Sequence, residues 1–214
     1  MSPWQGAILA VLVGYGTLLY RPSLGDTIGG TAASAIEMVP VVVAGYQRLF
    51  NLRPDHYVPL TSSVLGATGI ENAAMNVEPA PGFSVNGLAF TMDDAQLPGL
   101  DRRERYYRRS RVQLRHFDTD ESVGEGWIYS SEPDARWIER DPAALLPLWR
   151  DVQWARAGAY QISPRFGAYF DRTTYLGDGA RCPWYRAVTS VAATTRSRVH
   201  QLRQRRPRYR EAAL

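Results

Sequence analysis

The feature that most constrains the fold is an apolar run, Ile8–Val13, that breaks into Gly14-Tyr15-Gly16. Isoleucine, leucine and valine in a short run favour a buried strand. Two glycines around a tyrosine then force a sharp turn and leave backbone N–H groups that the sheet does not use. Further segments of the same kind follow. Met38–Tyr46 reads as a second buried strand. Asn72–Val77 alternates small and apolar residues and stops at Pro79, and Ser84–Phe90 is a further strand with Gly87 inside it. A glycine within a strand implies a bend or a close approach of another backbone. Val112–Phe117 and Glu125–Tyr129 complete the strand set.

Helical spacing appears later, at Leu146, Trp149, Val152 and Ala155 between Ala143 and Gly158, and a shorter helix is expected over Phe166–Tyr175. Asp93 or Asp94 can cap a short helix before Leu100, while Pro22 to Gly30 and Phe50 to Thr68 read as loop. Short strands followed by helices make an α+β domain. With 214 residues, 45% of them hydrophobic and 21% charged, the chain can pack a core of its own.

The basic residues divide this domain from its tail. There is no lysine; all 25 are arginine. Seven lie between positions 196 and 214, a stretch that carries +6, whereas positions 1–195 carry −2. A domain over 1–185 and a basic tail over 186–214 are therefore expected. The pI near 9.4 belongs to the tail, so charge alone does not argue for a nucleic-acid-binding fold. The tail reads as a solvated, mobile arm. Nucleic acid or an anionic surface is a partner only through it, and Tyr209 alone is too few rings for base stacking.

One cysteine, Cys182, excludes an internal disulfide framework and a multi-cysteine metal site. His56, His116 and His200 have no ligand spacing, so no metal is expected. No run approaches the roughly 20 apolar residues of a membrane span. Ala7–Val13 lacks the preceding positive charge and the following cleavage site of a signal peptide, which leaves a cytoplasmic location as the expectation.

Two segments can carry chemistry. N–H groups at Gly16, Thr17 and Leu18 can hold a carboxylate or a developing oxyanion, with Tyr15 as a wall; the same residues also read as an ordinary strand-to-loop turn. In Leu100-Asp101-Arg102-Arg103-Glu104-Arg105-Tyr106-Tyr107, Glu104 is the candidate acid–base. Shielding by Tyr106 or Tyr107 would raise its pKa, and the arginines would lower it. The alternative is a solvated helix with Asp101 and Glu104 paired to arginines one turn further on.

The order of these segments resembles the γ-glutamylcyclotransferase-like superfamily. Tyr15-Gly16-Thr17-Leu18 follows a strand, and Leu100-Asp101-Arg102-Arg103-Glu104 comes well downstream, near the middle of the chain. Asn76-Val77-Glu78-Pro79, Val85–Phe90, Val41–Asn51 and Gly158-Ala159-Tyr160 through Asp178-Gly179 are similar to the family's intervening and downstream elements. The resemblance implies a small mixed β-barrel with surrounding helices. It also implies a pocket between the Tyr-Gly-Thr-Leu turn and the glutamate, release of 5-oxoproline from a γ-glutamyl substrate, and no cofactor.

By the resemblance Glu104 is the catalytic base, and Tyr15, Gly16, Thr17, Leu18 and Tyr107 bind substrate. The turn leans toward the glutathione-degrading branch but has Tyr20 where that branch has tryptophan. The glutamate segment leans toward branches acting on γ-glutamyl amines or amino acids. The leaving group stays open, as do two other readings: a non-catalytic small-ligand binder of the same fold, and an interaction protein acting through its tail.

Overall fold

A computed structural model of the chain describes residues 9–28, 36–54, 71–94, 97–140, 145–147 and 149–182. The order is β1 (Leu9–Gly14), a 3-10 turn (Thr17–Leu19), α1 (Arg21–Ile28), β2 (Met38–Leu52), β3 (Glu71–Asp93) and α2 (Leu97–Arg103), then β4 (Arg108–His116), β5 (Ser122–Ser130), β6 (Leu145–Pro147), α3 (Trp149–Ile162), α4 (Pro164–Arg172) and β7 (Thr174–Leu176). The arginine-rich tail, His56 and His200 lie outside the described residues.

The sheet is mixed. β1 runs antiparallel to β3 and parallel to β5; β5 pairs antiparallel with β4, β4 with β2, and β2 with β3. The last pairing returns to the first neighbour, so β1 to β5 form a circuit of pairings. β6 and β7 add short parallel pairings to β3 and β2. A small mixed sheet with flanking helices is the α+β arrangement that the sequence implies.

β2 and β3 can turn two sides of the circuit because each bends. β2 shifts register between Ala44 and Tyr46, next to Gly45 at φ +80°, and β3 carries Gly82 at φ +86°. At Gly87 a Cβ would lie 2.6 Å from Val13 Cγ1 and 2.9 Å from the Gly14 carbonyl oxygen, so this glycine marks the close approach expected within a strand.

Several local expectations are corrected. Residues 21–28 are helical rather than loop: Pro22 sits in the first turn, where its missing N–H costs nothing, and Leu24 is fully buried. β2 runs on past Tyr46, so Phe50–Leu52 are strand rather than loop, held by pairing to β3. Asn72–Val77 and Ser84–Phe90 are two halves of the single strand β3, with Pro79 and Pro81 beside the irregularity in its pairing. Residues 145–147, expected to start a helix, are extended because they pair with 71–73. The helix expected over 166–175 begins at Pro164, where Ser163 accepts the Phe166 N–H at 3.0 Å as N-cap, and ends at Arg172 so that Thr174–Leu176 can pair with β2.

The main core fills the circuit with Val13, Val41, Val85, Leu114, Ile128 and Phe166 among others, and a smaller cluster around Leu12, Phe90 and Leu100 holds the first two helices. The interior also holds polar side chains. Arg48 is fully buried. It donates to the carbonyl and side-chain oxygens of Asn86 and to Thr174 Oγ1 (3.3 Å), and lies 4.3 Å over the Phe170 ring. Burial pulls its pKa below the ordinary arginine range, while Tyr15, Tyr169 and Asp171 act to keep it charged. On β3, buried Glu78 accepts from Asn51 Nδ2 and from an Arg140 guanidinium nitrogen at 2.8 Å; Asn76 accepts from Ser131 N–H at 2.9 Å and donates to Asn51 Oδ1 at 3.3 Å. Apart from Arg48 Nε, which has no hydrogen-bond partner among the described residues, the bonded atoms exchange water for protein partners, as burial requires.

Candidate active site

β1 delivers the turn. Tyr15 is buried, and its hydroxyl donates to the Tyr129 carbonyl oxygen on β5 at 2.7 Å. The first bonds of the 3-10 turn run from Leu19 N to Gly16 O (3.0 Å) and from Tyr20 N to Thr17 O (3.1 Å). The N–H groups of Gly16, Thr17 and Leu18 therefore precede every acceptor within the turn. Helix α3 backs it: a Cβ at Gly158 would lie 2.5 Å from the Leu19 carbonyl carbon and oxygen, so only glycine lets the helix come this close.

α2 delivers the glutamate. Leu100, 3% exposed, anchors the helix, which ends at Arg103. Glu104 N–H makes the closing bond to Leu100 O (2.8 Å), and Tyr107 N–H turns back onto Glu104 O (2.8 Å). Glu104 thus sits in a turn between α2 and β4, not on the face of a longer charged helix. The pairing to arginines one turn further on is not the one observed. Asp101 meets Arg109 at 3.5 Å, and Glu104 meets its neighbour Arg103 at 3.3 Å. The Glu104 side chain is 16% exposed. Burial pushes its pKa above the ordinary glutamate range, and Arg103 opposes the shift.

The two segments meet on one cavity of about 190 Å³. Every residue singled out in the sequence lines it: Tyr15, Gly16, Thr17, Leu18, Glu104 and Tyr107. Sequence reasoning missed Arg103 and Tyr129 as lining residues, and also Asp151 near the start of α3, Met75 and Ala74 on β3, and Leu52 and Pro54. Tyr129 could have been found from the period of β5, which buries Ile128 and Tyr129 against different clusters. Nothing local marks Asp151, whose place depends on how α3 packs.

The hydroxyls of Tyr15, Tyr107 and Tyr129 donate to acceptors other than the glutamate. Tyr107 donates to Met75 O at 2.7 Å, and Tyr129 donates to Asp101 Oδ1 at 2.6 Å. Burial pushes the Tyr15 phenol well above its ordinary pKa, and the Glu104 charge adds to this. Burial also raises Tyr129, with the Asp101 bond and charge next in size. The cavity therefore offers two shielded carboxyls, Glu104 and Asp151 from α3, a cluster of early-turn N–H groups and aromatic walls. These are parts suited to taking a proton from an amine while holding an anion.

Among the described residues, no group of three His, Cys, Asp or Glu side chains gathers as a metal site, and no helix is long and apolar enough to cross a membrane. Cys182 is buried, and burial pushes its thiol pKa up, away from reactivity.

Among curated proteins none matches the sequence. Solved structures share the fold at low identity. An uncharacterized Homo sapiens protein has a TM-score of 0.53 at 10% identity, covering 77% of this chain and 87% of that one. A gamma-glutamyl cyclotransferase has 0.52 at 10%, covering 76% and 86%. YkqA from Bacillus subtilis has 0.53 at 14%, covering 76% of this chain and 52% of that longer one. A family model described as gamma-glutamyl cyclotransferase, AIG2-like matches residues 12–154, the span that runs from β1 into α3 and contains both the turn and the glutamate. The chain belongs to the gamma-glutamyl cyclotransferase, AIG2-like family.

Proposed function

We propose that the protein is a cyclotransferase that releases 5-oxoproline from a γ-glutamyl substrate, with Glu104 as general acid and base. The observation that carries this reading is that Glu104 and the Tyr15–Leu18 turn, contributed by distant parts of the chain, line the same cavity.

The substrate's own α-amine attacks its γ-carbonyl carbon. The new C–N bond closes a five-membered ring, and the bond from the γ-carbon to the leaving nitrogen breaks. Because nucleophile and electrophile belong to one molecule, the protein's main task is to fold the substrate over. Glu104 takes the proton that the α-ammonium must lose and returns it to the leaving nitrogen. A carboxyl raised by burial suits both steps. The N–H groups of Gly16, Thr17 and Leu18 take the α-carboxylate or the carbonyl oxygen as it gains charge. Tyr15 and Tyr107, whose hydroxyls are bonded to main-chain carbonyls, serve as walls.

The test is 5-oxoproline release from glutathione, γ-glutamyl-alanine and γ-glutamyl-ε-lysine, run in parallel. Release from at least one is expected, with Glu104→Gln slower by a factor on the order of 10² or more. Full activity in that variant would remove Glu104 from its role. No release from any of the three by folded protein would remove the reading for these substrates.

A further inference from the structure

Three of the tyrosines that line the cavity with Glu104 give their hydroxyl protons to other acceptors. Tyr15 donates to Tyr129 O, Tyr107 to Met75 O and Tyr129 to Asp101 Oδ1. The first two acceptors are main-chain carbonyls, which the strands hold in place. The third is a side chain on α2, one turn before Glu104 and itself held by Arg109 at 3.5 Å, with Arg109 lying 5.1 Å over the Trp127 ring. Tyr129 lines the cavity with Glu104, and the two interact electrostatically. A phenol released into the cavity that Glu104 lines would be free to donate to its carboxylate, and a hydrogen bond to the charged form makes a carboxylate a weaker base.

We propose that Asp101 is a positioning residue that holds the Tyr129 proton away from Glu104, so that the cavity's carboxylate keeps its affinity for a substrate proton. The catalytic meaning rests on the cyclotransferase reading; the effect on Glu104 does not. Among the described residues, the charged and titratable groups around Glu104 are Arg103 beside it, Tyr106 and Tyr107 just after it, Tyr15 from the turn, Tyr129 from β5 and Asp151 from α3. Of the three bonds that draw tyrosine protons away, only the one to Asp101 depends on a side-chain acceptor.

The test is a carbon-13 NMR titration of the Glu104 carboxyl in the full chain, assigned by its loss in Glu104→Gln. Asp101→Ala frees the phenol and is expected to lower the Glu104 midpoint by about one pH unit. Asp101→Asn removes the charge but keeps an acceptor oxygen, and is expected to stay near the wild-type midpoint. Asp101→Ala combined with Tyr129→Phe removes the competing donor and is expected to restore it. An unchanged midpoint in Asp101→Ala, or the same fall in the double variant, overturns the proposal. If the alanine variant does not fold, Asp101→Ser, too short to reach the phenol, takes its place with the same expected fall. The titration needs no turnover, so an inactive protein would defeat the cyclotransferase reading while leaving this one decided on its own data. In an active protein, the acidic limb of the kcat/KM profile moves down with the midpoint.

Discussion

Two of the described glutamates, Glu78 and Glu104, are largely shielded from water, in opposite circumstances. Glu78, on β3, has both carboxylate oxygens occupied, one by Asn51 and one by Arg140. Glu104 has Arg103 at 3.3 Å as its ion pair among the described residues, and the protons of Tyr15, Tyr107 and Tyr129 are given to other acceptors. A carboxylate whose bonds are all made inside the protein is part of the frame. One left short of partners beside a cavity is available for chemistry.

The largest effect that would sharpen this contrast is in the frame. Arg48→Ala leaves a cavity under Phe170 and strips Asn86 and Thr174 of their donor, so a loss of about 4 kcal/mol is expected from urea unfolding. A loss below about 1 kcal/mol would mean that the buried polar group is not structural. Next in size is Gly158→Ala. Its methyl group would press on the Leu19 carbonyl, and a cost of about 1–3 kcal/mol is expected, together with a raised KM because the turn moves. An unchanged KM would separate α3 from the site.

The smallest effect concerns pH. Burial raises the Glu104 pKa in the folded state above its unfolded value, so the folded state binds more protons between the two. Stability from this group is fully present below the ordinary glutamate pKa and is lost as pH rises through the folded one. Glu104→Gln removes that decline. Melting curves across the acidic range should therefore show the variant gaining on the wild type as pH rises; a constant difference would break the contrast with Glu78.

The site was legible because its two halves are local sequence events. A strand must stop at Gly14-Tyr15-Gly16, and a glutamate among arginines and tyrosines invites attention wherever it occurs. That they share a cavity depends on β1 pairing with both β3 and β5, which no local pattern states. The missed elements failed for the same reason. Residues 145–147 and 174–176 are extended only because β3 and β2 offer partners, and α1 was hidden by a proline at a position that tolerates one. Nothing local in the sequence marks Arg48 as buried. Its burial follows from partners contributed by β3 and β7.

The pleat of β3 works as a partition. Ala73, Met75 and Val77 belong to the main core, whereas Ala74 packs with Leu52 and Tyr106, and Asn76 and Glu78 bond to Asn51, Ser131 and Arg140. Adding or deleting one residue here would exchange the two inventories, sending amide and carboxylate groups into the apolar side and valine and methionine out of it. A change of two would restore the parity. This strand therefore tolerates variation in side-chain size far better than variation in length, and family members should differ in length at the bends and connections rather than between positions 73 and 78.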